Sequence, residues 1–108
     1  MLQEFESQVQ ETINVEKVKE ELTSGLNHNL AENKALKDEF DLFLGGRTFT
    51  TEFGGISIMI LNANGREPYY IARMHLYESN NKTEGAQIAT YEIEYSADGE
   101  ILDDFLVF

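Results

Sequence analysis

No cysteine occurs in this sequence, so a disulfide framework and a thiolate metal site are both excluded, and thiol usage says nothing about redox compartment. Only one proline is present, and no apolar run approaches the roughly 20 residues a membrane-spanning helix needs. Basic residues are scarce as well: eight Lys and Arg stand against 20 Asp and Glu, a formal charge of −12. Each side of Gly46 carries ten acids and four bases, so the excess belongs to the whole chain and is not a detachable tail. Such a field repels nucleic-acid phosphates and anionic membranes, and it attracts basic proteins and cations. Direct binding to nucleic acid or to a membrane is therefore not expected.

Motifs of known chemistry are also missing. There is no GxGxxG or GxxxxGK[ST] loop, no HExxH pair and no GxSxG elbow, which removes the usual support for phosphate-cradling, zinc-protease and α/β-hydrolase readings. No cofactor is expected. Acids gather near the end at Glu92, Glu94, Asp98, Glu100, Asp103 and Asp104, with no base after Lys82. An EF-hand needs a fixed spacing of oxygen ligands closed by a bidentate Glu, and DGEILDD lacks it, so no metal site is expected either.

What the sequence does contain is ordinary for a folded chain: 108 residues, 42% apolar and 11% aromatic, enough for one domain spanning 1–108 around one core. Met1 leads into an acidic amphipathic pattern without the basic and continuous apolar regions of a secretory signal, so a cytoplasmic location is expected. Asn81-Lys82-Thr83 fits a glycosylation sequon in form only, given that location.

Two periodicities divide the chain. Leu2, Phe5, Val9, Ile13, Val18 and Leu22 recur at helical spacing, with Asn14 able to cap a segment starting at Val15. Gly25 is expected to weaken the helix near Leu26. Asn29 followed by Glu32 resembles a capping box for a second helix, whose stripe is Leu36, Phe40, Phe43 and Leu44 and whose end is Gly45-Gly46. Residues 1–46 thus form a helical part, an αα-hairpin.

From residue 47 to 108 the period drops to 2. Arg47 to Phe53 and Ile56 to Leu61 read as strands joined at Gly54-Gly55, the latter a central strand because both its faces are apolar. Asn64-Gly65 is a hairpin signal leading to a strand at Tyr69 to Glu78; further strands come at Ala86 to Tyr95 and, across Asp98-Gly99, at Ile101 to Phe108. Helices followed by strands give an α+β fold, with the helices packed on an antiparallel meander of four to five strands. At the level of fold alone this order is similar to cystatin-like and other small inhibitor folds, which does not specify function.

Residues 35 to 46, ALKDEFDLFLGG, resemble the leader of double-glycine secreted peptides, in which a peptidase cuts after the glycine pair. Beyond Gly46, however, this chain continues as a long strand-rich stretch without cysteine, and a helix C-cap explains the same letters.

The strand Tyr69 to Glu78 assigns Tyr70, Ala72, Met74 and Leu76 to the core and leaves Tyr69, Ile71, Arg73, His75 and Tyr77 on the other face. Tyr and Arg are favoured at binding hot spots because they join large buried area to hydrogen-bonding tips. With Glu92, Glu94, Asp103 and Asp104 these residues make up a candidate surface for another protein, one with a basic surface because opposite fields attract; a homodimer would use the same face. The expected function is that of an inhibitor, immunity-type or accessory factor. Two alternatives use the same residues: a nucleic-acid mimic whose acids block a DNA- or RNA-binding protein, and a small enzyme or ligand-binding domain in which His75 works with Glu92 or Glu94. Binding is favoured over catalysis, because a His and a carboxylate on paired strands serve first as a cross-strand pair.

Overall fold

The computed structural model describes residues 13–59, 68–79 and 85–108. Two helices, α1 (Val15–Glu32) and α2 (Lys34–Leu44), precede four strands, β1 (Phe49–Met59), β2 (Tyr69–Glu78), β3 (Gln87–Ser96) and β4 (Ile101–Val107). The strands form one antiparallel sheet in chain order, β1-β2-β3-β4, and the helices cover one face of it. This is the α+β meander expected from the sequence.

Asn14 caps α1, its side chain accepting from the Lys17 amide at 3.2 Å. The helix does not break at Gly25 but runs on to Glu32; Gly25 faces Tyr91 of β3, where a Cβ would meet the phenol oxygen at 2.5 Å. The glycine therefore marks a close approach, not an end. The second helix begins later than the Asn29 and Glu32 pattern implies. Asn33 leaves helical geometry, hands its backbone N–H to Asn29 and accepts from the Leu36 amide at 3.1 Å, so one residue closes α1 and opens α2. Gly45 caps α2 in the left-handed region at φ 57°, as the glycine pair predicts. Arg47 adds to that end by donating to the Phe43 and Leu44 carbonyls, both at 2.8 Å.

Gly54-Gly55 is not a turn. Phe49 to Met59 is one strand, bulged where Phe53 pairs with Met74 and Gly55 with Arg73, so Gly54 is the extra residue. The His75 ring lies across Gly54 where a Cβ would stand. The sheet accordingly has four strands among the described residues, and Ile56 to Met59 belongs to an edge strand, not a central one. The bulge also restores the parity of the apolar residues: Phe49, Phe53, Ile56 and Ile58 all pack toward the core. Met59 pairs with Tyr69 across the connection that contains Asn64-Gly65, and the turn itself lies outside the described residues, as do Leu2, Phe5, Val9 and the sequon. At the β3–β4 turn Gly99, with φ 90°, donates to Ser96 O, and the Ser96 amide donates to Glu100 O, which is a type I turn closed by a glycine bulge.

The core forms between α1 and the middle strands. Val18, Leu22 and Leu26 from α1 and Phe40 and Leu44 from α2 meet Tyr70, Ala72, Met74 and Leu76 of β2 and Ala89, Tyr91, Ile93 and Tyr95 of β3. The assignment of alternate β2 residues to the core holds throughout. At the open end of this layer Phe108 packs against Phe40 and Phe43, with ring centroids 5.3 and 5.2 Å apart, and so ties the end of β4 to α2.

Candidate functional site

Both helices lie on the core side, so the face of the sheet opposite them is the surface whose role needs explaining. On it, residues directly across the ladders stand side by side. One row runs Ser57, Ile71, Glu94, Asp103; the next runs Gly55, Arg73, Glu92, Phe105; a third runs Glu52, His75, Thr90, Val107. Tyr77 lies beyond His75, between Thr50 and Gln87, and Tyr69 lies between Met59 and Ser96. Tyr69, Ile71, Arg73, His75 and Tyr77 are all partly buried by their neighbours and partly open.

Arg73 is the fixed point of this face. Its Nε donates to Glu92 Oε1 at 3.2 Å and its Nη1 to Ser57 Oγ at 2.6 Å, so one guanidinium joins β1, β2 and β3. Glu92 is thus engaged by Arg73. His75 stands opposite Thr90, and its Nδ1 is 3.0 Å from Gln87 Nε2, which also donates to Thr90 Oγ1. The imidazole meets an amide and the notch at Gly54, and its cross-strand neighbour on β1 is Glu52. Glu94 is largely buried between Ile71 and Asp103.

Strand alternation separates the two adjacent aspartates. Asp103 faces outward beside Glu94, whereas Asp104 points to the helix side. There Asp104 Oδ2 accepts from the Tyr91 hydroxyl at 2.6 Å and from Asn29 Nδ2 at 2.5 Å, and the same Asn29 amide donates to Gly25 O. This network fastens β4 to α1. Burial in the first place, and the neighbouring Asp104 carboxylate after it, push the Tyr91 phenol far above its ordinary range. Tyr95 is raised in the same direction by burial and then by Glu21, whose carboxylate accepts from its hydroxyl at 3.4 Å. Tyr70, stacked on Tyr95 at 4.8 Å, is raised by burial and by Glu21 as well.

Two features lie beyond the sequence patterns. Asn29 serves this network and not a cap, and its partners on the sheet, Tyr91 and Asp104, lie 62 and 75 residues away, out of reach of any local motif. The second is β4 itself: Leu102, Phe105 and Val107 are 51%, 44% and 60% exposed, and Phe105 and Val107 extend the outer face beyond Glu92 and Thr90. The one signal for it in the sequence is that ILDDFLVF places apolar residues at both parities, which a strand with one wet face does not need.

Among the described residues no group of three or more His, Asp or Glu side chains is placed to hold a metal ion, and no helix is long and apolar enough to cross a membrane. No protein-family model, curated protein or solved structure matches the chain.

Proposed function

We propose that this chain is a small acidic protein-binding domain, an inhibitor, immunity-type or accessory factor, and that the outer face of its sheet is the contact surface. The observation that carries this reading is the make-up of that face: half-open Tyr69, Ile71 and Tyr77 on β2 and exposed Phe105 and Val107 on β4 stand on either side of the polar row Thr90, Glu92 and Glu94 of β3, with both described helices on the opposite side. Aromatic and apolar side chains set among charged and polar ones are what a protein partner buries. Asp103, with Asp98 and Glu100 at the adjoining turn, supplies negative potential that steers a basic partner and speeds its encounter. Arg73, held by Glu92 and Ser57, keeps the centre of the face rigid, so little side-chain ordering is left to be done on binding.

The test compares the parent chain with a Tyr69→Ala/Tyr77→Ala variant as bait in extracts of the native host. The expected result is recovery of a basic protein by the parent and its loss from the variant, with circular dichroism unchanged. Equal recovery by both baits overturns the assignment of the face. A cytoplasmic location is part of the same proposal, and fractionation of cells carrying a tagged chain checks it.

A further inference from the structure

The two edges of the sheet are unlike. Edge β1 carries Thr50, Thr51 and Glu52 and is bent by the Gly54 bulge, devices that discourage another strand from pairing with it. Edge β4 has a register step of its own at Leu102 and the acids Asp103 and Asp104, and it differs from β1 in the apolar surface it exposes. Five of the seven large apolar side chains exposed on the described residues belong to Ile101, Leu102, Phe105, Val107 and Phe108, while the other two, Val15 and Leu42, sit singly on the helices. Past its register step at Leu102, β4 runs on in regular pairing with β3, so alternate backbone groups of residues 103–107 face away from that ladder; the Asp104 N–H donates to Asp103 Oδ1 at 2.8 Å, a contact that an added strand would replace.

Beside this edge, α1 packs over β2 and β3 and leaves an open groove between itself and β4. The groove is lined by Glu21, His28, Asn29, Tyr91, Ile101 and Asp104. A strand added to β4 would turn alternate side chains toward this groove and the others toward Phe105 and Val107. Acids stand on both sides, Asp103 outward and Asp104 and Glu21 toward the groove. Two-fold pairing of β4 about its middle would bring either Asp103 or Asp104 against its own equivalent, on two chains of charge −12, so like charges disfavour that occupant.

We infer that β4 is a strand-addition site for an extended segment of a partner protein that mixes apolar residues with Lys or Arg. Backbone pairing along the edge supplies affinity, and the acids on each side select basic side chains. This inference rests on the reading of the sheet as a partner surface and adds to it the chemistry of the segment and the way it is held.

The experiment uses the full chain, isotope-labelled for amide spectra, titrated with a short alternating Lys–Val peptide, with the same peptide N-methylated at every second residue, and with a Glu–Val counterpart. The Lys–Val peptide is expected to shift amides of residues 101–107, to weaken about ten-fold or more on N-methylation, and to weaken again at about 1 M salt. The Glu–Val peptide is expected not to bind, and Asp103→Lys, at an exposed position, to lower affinity for Lys–Val. Equal binding of the N-methylated peptide, with shifts around Tyr69 and Tyr77, overturns strand addition and leaves the outer face standing as a contact surface. Shifts confined to the helices, or binding by none of the peptides, overturn strand addition; in the second case the bait experiment above decides the outer face separately. Self-association through β4 in the absence of peptide, seen as a concentration-dependent rise in mass that Val107→Lys abolishes, would overturn it in favour of a second copy.

Discussion

Gly25 and Tyr91 show how a single contact can invert an ordinary rule. A glycine inside a helix costs about 1 kcal/mol relative to alanine, so replacing it should stabilise α1. Here the methyl group would collide with the Tyr91 hydroxyl, and overpacking of this kind costs about 1–3 kcal/mol. Gly25→Ala is therefore expected to destabilise the chain in urea denaturation. Removing the hydroxyl relieves the nearest contact, so Gly25→Ala should cost less, or even stabilise, in a Tyr91→Phe background. Tyr91→Phe alone loses a hydrogen bond to a carboxylate and leaves Asp104 with Asn29 as its remaining partner, a loss of about 1–3 kcal/mol. Additive effects of the two substitutions would show that the close approach does not explain the glycine.

At the scale of elements, Asn33 is the clearest case of one side chain shaping two helices. It ends α1 and caps α2, so Asn33→Ala is expected to cost about 1 kcal/mol in chemical denaturation, with Asn33→Ser or Asn33→Asp retaining most of the stability. A loss within experimental error would mean that packing of Phe40 and Leu44 alone holds α2 in place. The elements also differ in how far the sequence reveals them. β2 and β3 are legible because their alternation is clean and one face is fully buried, which fixes register. Gly54-Gly55 is not, because a glycine pair between β-branched runs looks the same locally whether it turns or bulges, and what decides is the His75 ring, some twenty residues away. Gly25 misleads for the same reason. Of the candidate surface, Tyr69 to Tyr77 comes from parity alone. Phe105 and Val107 do not, because a strand apolar at both parities has no assignable face until its ladder with β3 is known. Asp104 reads as one of the outer acids because adjacent aspartates look like one cluster, whereas a strand sends neighbours to opposite sides.

For the molecule as a whole, three buried phenols tie stability to alkaline pH. Tyr70, Tyr91 and Tyr95 are raised by burial and by nearby carboxylates, so the folded chain keeps protons that the unfolded chain releases. Their contribution is fully present below the unfolded phenol value of about 10 and is lost as pH rises beyond it, by about 1.4 kcal/mol per pH unit for each phenol still protonated only in the folded state. Urea midpoints are expected to be flat with respect to these groups up to about pH 9 and to fall steeply near pH 11, more gently in Tyr95→Phe. An unchanged slope in that variant would place the alkaline loss elsewhere. The net charge acts over the same scale: screening a field of −12 favours the compact chain but weakens attraction to a basic partner, so salt should stabilise the fold while loosening the complex.

If the chain works by binding, the sheet, through its outer face and β4, is the part that meets the partner. Amide hydrogen exchange of the chain, free and bound to the protein recovered from the native host, measures this directly. New protection is expected in β4 and at residues 69–77 of β2, with α1 and α2 unchanged. Protection confined to the helices, with β4 exchanging as in the free chain, would contradict it.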